Sequence, residues 1–225
     1  YYSGLHEPSL FHNRYSSNHF SWDNNFKSSF INILEGALKF QNNSIFFEPF
    51  IKIISVGDHV YLSEEKIPTQ HNESILNNQF GITLKVSLLN KVINLDNIYM
   101  YNVSPDNHNI INTPKHNNYT KLYYSGNWFK NTIPVQFGVN MYFRSEYNGN
   151  AYDPSLQSYY VQNSFILQQY LRYNLFFNMQ VKNFRVFLKM THFNQFDRFD
   201  GYFATPYYPG QKKVLDLGVK WYFFN

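Results

Sequence analysis

Apolar and polar residues alternate along this chain over stretches of ten residues and more. In 133–147, Val135, Phe137, Val139, Met141 and Phe143 share one parity, and Gln136, Gly138, Asn140, Tyr142 and Arg144 share the other. In 79–89, Phe80, Ile82, Leu84, Val86 and Leu88 oppose Gly81, Thr83, Lys85 and Ser87. Near the end, Leu215, Leu217, Val219, Trp221 and Phe223 oppose Asp216, Gly218, Lys220 and Tyr222. The segment 18–40 carries Phe20, Trp22, Phe26, Phe30, Leu34 and Leu38 on one parity. A period of two puts successive side chains on opposite faces of a strand, so the chain is all-β. Composition agrees, because 20 Tyr and 23 Phe accompany only 3 Ala, which disfavours a helical bundle.

Strands are predicted over 18–40, 44–62, 78–89, 92–103, 119–129, 133–147, 172–181, 184–193 and 212–224. Most reach the roughly 9–11 residues that a tilted membrane strand needs, longer than the roughly 5–6 usual in globular sheets. Their connections alternate. Short turns fall at Gln41–Asn43, Asn90–Lys91, Lys130–Thr132 and Lys182–Asn183, and long polar loops at 64–77, 104–118, 148–171 and 194–211. This rhythm predicts an antiparallel up-and-down barrel with two unlike rims, as in outer-membrane barrels, over a Greek-key sandwich. A soluble β-sandwich that binds glycans through exposed aromatic residues is the competing soluble fold.

Nine strands is an odd number, whereas bacterial single-chain barrels have an even one. Either a strand near the start is unread or strands lie upstream, and the second is favoured because YYSGLHEP reads as a loop. The whole of 1–225 is then one barrel domain, incomplete on its N-terminal side. Aromatic residues on the apolar parity cluster near strand ends (Phe20 and Trp22, Tyr99 and Tyr101, Tyr124 and Trp128, Trp221 and Phe223), as rings do at membrane interfaces.

If the polar parity faces a lumen, it presents Lys27, Lys39, Lys85, Lys121, Arg144, Arg185, Lys189 and Lys220 against Asp23, Glu35, Asp96, Glu146 and Asp216. The excess of +3 predicts a mild preference for anions. Taken singly, each charge is better explained as half of a cross-strand pair that holds the wall together. Loop 148–171, with Tyr159, Tyr160, Phe165 and Tyr170, could fold inward as a plug or pack outside as a cap.

Other chemistry finds little support. There is no Cys, so thiolate metals and disulfides are excluded. The eight His show no ligand spacing, and Asp197 and Asp200 in QFDRFDG are too few for a calcium loop. No metal or other cofactor is expected. No nucleophile elbow or phosphate-cradling loop is present, so no catalytic residue and no enzyme activity are expected. The 19 basic residues are scattered, which argues against nucleic acid.

SNHFSWDNNF at 17–26, PTQ at 68–70, LDN at 95–97, SEYNGNAYDPSLQSYYVQN at 145–163, FFNMQVKNFRVFLKMTHFN at 176–194 and YFATPYYPGQKKVLDLGVKWYFFN at 202–225 form an ordered series. The series resembles the C-terminal portion of the Putative porin family of Bacteroidota outer membranes, over nearly the whole chain. The resemblance implies a channel-like barrel in contact with the lipid bilayer and lipopolysaccharide, with other outer-membrane proteins as partners in any secretion or nutrient-uptake complex. It also implies insertion by the barrel-assembly machinery, which reads an alternating last strand with a terminal aromatic residue. Leu215, Leu217, Val219, Trp221 and Phe223 would carry that signal, although the last residue here is Asn225.

Overall fold

The computed structural model describes residues 1–104, 109–195 and 202–223. Ten strands form one antiparallel sheet in chain order: β1 (Tyr2–His6), β2 (Ser29–Ala37), β3 (Ile45–Gly57), β4 (Ile75–Leu88), β5 (Ile93–Val103), β6 (His116–Trp128), β7 (Ile133–Arg144), β8 (Tyr170–Val181), β9 (Phe184–Thr191) and β10 (Val214–Trp221). Each pairs with the next, and the two-residue segment Phe40–Gln41 adds a short pairing to β3. Among the described residues, β1 and β10 each have one neighbour. Among the described residues no helix is long and apolar enough to cross a membrane, which leaves crossing by strands untouched.

The register carries the alternation across the sheet. Phe137 opposes Tyr124 on β6 and Phe177 on β8, and Phe177 opposes Leu188, which opposes Leu217. Directly opposed residues point to the same side, so one face is apolar across these strands. A slip of one residue would exchange the faces.

Short connections are built from left-handed backbone. Leu89, Asn90 and Lys91 have φ of 49, 55 and 70°, and Phe129, Lys130 and Asn131 have 52, 56 and 66°. Three such residues in a row reverse the chain within four residues. The turn before β3 instead uses the Asn42 side chain, whose Oδ1 accepts from the Ser44 and Ile45 backbone N–H groups at 2.9 and 2.8 Å.

Short connections (38–44, 89–92, 129–132, 182–183) alternate strictly with long ones (7–28, 58–74, 104–115, 145–169, 192–213). Every long connection therefore emerges at one end of the sheet.

Three sequence expectations need correction. Among the described residues the ladder has ten strands, because Tyr2–His6 pairs with Ser29–Ile33 as a ladder strand and is not a loop. The stretch 18–40 is not one strand: Ser21–Asp23 pairs with Arg14–Ser16 in a rim ribbon, and the ladder strand begins at Ser29. Phe20 and Trp22 thus belong to the rim, where Trp22 Nε1 donates to the Phe11 carbonyl at 2.7 Å. Likewise 44–62 leaves the ladder after Gly57. At Asp58 (φ 53°) the chain turns, and His59–Leu62 pairs with Pro68–His71.

Most of the fully buried apolar residues lie in the loops. Leu62, Ile110, Ala151, Leu156, Val161 and Leu167 are all under 9% exposed, as is Pro206. Small ribbons organise them: Tyr147–Asn148 with Ile166–Leu167, Ala151–Asp153 with Ser158–Tyr160, and Phe203–Thr205 with Tyr208–Pro209. The loops also bind one another. Val161 N–H donates to the Leu62 carbonyl at 2.9 Å, and Lys66 Nζ meets Asp153 Oδ2 at 2.7 Å.

Candidate solute pathway along the polar face

The apolar face carries Leu34, Ile51, Ile53, Phe80, Ile82, Leu122, Phe137, Leu188, Leu215, Leu217 and Val219, each between 37 and 72% exposed. In water this would be a very large apolar patch for a folded chain. Three polar side chains on this face bond one another: Asn97 Nδ2 donates to Asn118 Oδ1 and to Thr120 Oγ1, both at 2.8 Å. Such mutual bonding is needed where no water can take the bonds.

Rings concentrate near the two ends of this face. At the short-turn end, Tyr124 stacks on Phe137 (5.0 Å between centroids), and Phe184 stacks on Trp221 (5.0 Å). At the loop end, Tyr99 Oη and His116 Nδ1 are 2.7 Å apart, and Tyr101 lies 5.0 Å from the same imidazole. The separation suits two interfacial girdles around an apolar band.

All twelve Asp, Glu, Lys and Arg residues within the ten ladder strands lie on the other face: Glu35, Glu48, Lys52, Lys85, Asp96, Lys121, Arg144, Arg172, Arg185, Lys189, Asp216 and Lys220. Glu48, Lys52 and Arg172 escaped the sequence reading. Applying the parity of Lys85 through the register to β3 and β8 would have found them. Asp23, Lys27, Lys39 and Glu146 lie outside the ladder strands. Asp23 pairs with Arg14 at 3.1 Å in the rim ribbon.

The expected cross-strand pairing is mostly absent. Only Glu35 and Lys52 form a cross-strand ion pair on this face among the described residues, at 3.9 Å. Six of the other cations sit over aromatic rings instead. Lys85 lies 5.6 Å from the Phe46 centroid, Lys121 4.3 Å from Tyr123 and 4.9 Å from Phe176, Arg172 4.3 Å from Tyr142, and Lys220 4.8 Å from Tyr222. Arg144 approaches Tyr147 and Arg185 approaches Tyr222. The reason is compositional: the polar parity holds more rings than carboxylates. A ring face attracts a cation without cancelling its charge.

Glycines on this face make room for rings. The Phe50 ring lies over Gly81 and the Phe187 ring over Gly218, both directly cross-strand. Gly138 differs, because a Cβ there would strike backbone atoms, the Leu122 carbonyl and Tyr123 Cα.

Above the polar face the loops form a rim held by charge. The Lys66 ammonium holds the Asp153 carboxyl well below the usual carboxylate range, helped by the Ser155 hydroxyl and the Ser155 and Leu156 N–H groups. His59 is lowered by burial, then by His12 and His71 nearby. Among the described residues no three His, Asp or Glu are grouped to hold a metal. Asp197 and Asp200 lie outside the described residues. In loop 148–171, Phe165 packs edge-on against Phe203 (5.3 Å) and near Tyr207 (5.1 Å), and Tyr160 takes the Lys66 ammonium over its ring. Tyr170 belongs to β8 and stacks on Tyr202 at 3.9 Å.

The candidate assembly-signal residues Leu215, Leu217, Val219 and Trp221 stand on the apolar face of β10 with more than half their surface exposed. Phe223 follows, its ring 4.4 Å from that of Trp221.

Comparison with known proteins agrees with this architecture. The chain is similar to the ferric-catecholate import receptor Fiu of E. coli K12 (TM-score 0.62, 13% identity, 87% of this chain and 28% of that one). It is similar to the FrpB iron transporter of Neisseria meningitidis, F5-1 variant (0.62, 12%, 88% and 32%). It is also similar to BauA, the ferric preacinetobactin receptor of Acinetobacter baumannii (0.61, 12%, 89% and 30%). At such identities the likeness is one of fold, and this chain spans about a third of the length of those structures. No curated protein matches the sequence. A family model described as "Putative porin" matches residues 1–225. The chain therefore belongs to that family and forms part of a transmembrane antiparallel β-barrel of the bacterial outer membrane.

Proposed function

We propose that the polar face lines a water-filled passage through which small solutes and ions diffuse passively, with no enzymatic step. The observation that supports this most is the segregation of all twelve ladder charges to one face, while the other face is apolar and ringed at both ends. A wall of this kind has lipid on one side and water on the other. The eight cations there outnumber the four carboxylates, and most are held by rings that leave their charge uncancelled, so the passage favours anions. The apolar face meets the bilayer and lipopolysaccharide. Leu215, Leu217, Val219, Trp221 and Phe223 serve as the signal for the barrel-assembly machinery.

The test is conductance of the full-length protein in a planar bilayer. Stable steps that grow with salt, with a reversal potential on the anion side, support the reading. Silence from a demonstrably folded barrel overturns it. The knitted loops favour a second reading, a non-conducting accessory barrel in a secretion or uptake complex. Its contact surface would be the rings exposed on the rim, such as Tyr159 (57%) and Tyr207 (65%).

A further inference from the structure

Where β6, β7 and β8 reach the long loops, the polar face holds a recess of about 560 Å³. Its walls are Tyr119, Tyr142, Arg144, Tyr170 and Arg172, and Tyr202 folds over it from the last loop. The rings form two pairs: Tyr119 and Tyr142, tilted by 43° with centroids 4.8 Å apart, and Tyr170 stacked on Tyr202 at 3.9 Å. Between them stand two guanidinium groups on adjacent strands, with Arg172 opposite Tyr142 and Arg144 opposite Tyr170.

The arginines are differently engaged. Arg144 Nη2 donates to the Phe203 carbonyl at 2.9 Å and Nη1 to Tyr147 Oη at 3.2 Å, which fixes its position. Arg172 lies against the Tyr142 ring, and its Nε is buried without a hydrogen-bond partner. Among the described residues no carboxylate lines the recess. Two cations therefore face one volume, Arg144 with two of its five N–H donors in use and Arg172 with its Nε–H unpaired.

The other lining groups narrow the choice of ligand. The two amides are already committed, Asn117 Nδ2 to the Pro114 carbonyl (3.3 Å) and Asn118 Nδ2 to Thr120 Oγ1 (2.9 Å). Ile98, Met100 and Ala204 complete the wall with apolar surface. A neutral sugar would need many free polar partners and find few. A planar ring would find tyrosine faces, and an attached anion would find the guanidinium forks. The volume is within the range of small-molecule sites, about 300–1,000 Å³.

We propose that this recess is a binding site for small aryl anions, a ring bearing a phosphate or carboxylate, with Arg172 as the principal anion donor and Tyr142 and Tyr170 as the ring platform. The proposal rests on the reading that water reaches the polar face. The probe is phenyl phosphate, titrated by calorimetry into the full-length protein in detergent, with phenol and inorganic phosphate as half-ligands.

Saturable binding is expected for phenyl phosphate, with each half-ligand weaker by about tenfold or more, since each lacks one set of contacts. Arg172→Gln should weaken phenyl phosphate by a similar factor, and Arg172→Lys by less, because it keeps the charge and loses the fork. Should Arg172→Gln not fold, as judged by heat-modifiable electrophoretic mobility, Arg144→Gln removes the second cation of the recess and should weaken phenyl phosphate in the same direction by a smaller factor. Failure to saturate, equal affinity for inorganic phosphate, or unchanged affinity in the folded variant would each overturn the site. Conductance on the same preparation separates the two readings. A conducting protein that does not bind refutes the recess alone, and a binding protein that does not conduct refutes the passage alone.

Discussion

Leu217 and Leu167 both sit in short stretches of strand, yet the first is 72% exposed and the second 1%. Leu217 belongs to the ladder, where apolar side chains point away from the protein. Leu167 belongs to the loop rim, where they point into it, against Gly149. The sheet therefore uses lipid as the solvent for its apolar face, whereas the rim builds its own small core as a water-soluble domain does. The same residue type has opposite roles in the two regions, and substitutions should expose this.

The sharpest contrast comes from a charge on the ladder. Leu122→Arg, on the apolar face, should cost about 2–4 kcal/mol if it lies near the bilayer midplane, measured as folding equilibrium in lipid vesicles. Tyr123→Arg, one residue on and facing the other way, should cost far less. Equal penalties would break the assignment of faces. In the rim, Leu167→Ala should cost about 2–4 kcal/mol as a buried cavity, but locally. Limited proteolysis should show 148–171 cut while the ladder stays resistant. Gly138→Ala adds one methyl where only backbone can yield, and about 1–3 kcal/mol is expected from overpacking, read as a lower unfolding midpoint.

Smaller still is the pH effect at the rim. The Asp153 pKa is depressed by Lys66, so the pair's stabilisation is fully present above the ordinary carboxylate value of 3.8. It is lost as pH falls through the lower folded value. Protease sensitivity of the rim should be flat from pH 5 to 8 and rise only in strong acid; a rise within that range would break the assignment to this pair. The smallest stability change is expected for Lys121→Gln with Lys220→Gln, near zero, although the reversal potential should move toward zero.

The ladder was legible because a barrel wall repeats one rule, and Val135 to Phe143 or Leu215 to Phe223 state it without interruption. Misreadings arose where the rule held by coincidence or was diluted. Phe20, Trp22, Phe26 and Phe30 share a parity, although the chain leaves a rim ribbon and enters the ladder between them. Tyr2–His6 was too short to show a period. On β3, Phe46, Phe50 and Ile54 share the face of Glu48 and Lys52, so the polar parity does not look polar, and both charges were missed. The rim has no period at all: its buried residues Leu62, Ile110, Val161 and Pro206 come from distant segments. The recess was invisible for the same reason, since Tyr202 reaches Tyr170 only through the folded loop.

The cations held over rings make the polar wall resemble an ion-exchange resin. Charges fixed to a matrix exclude co-ions while bulk salt is dilute, and they lose that power once mobile ions outnumber them. The reach of the wall's field falls from about 10 Å at 0.1 M salt to about 3 Å at 1 M. The proposed passage would then discriminate between ions in dilute surroundings and pass them indifferently in brine, so its selectivity would be a property of the medium as much as of the protein.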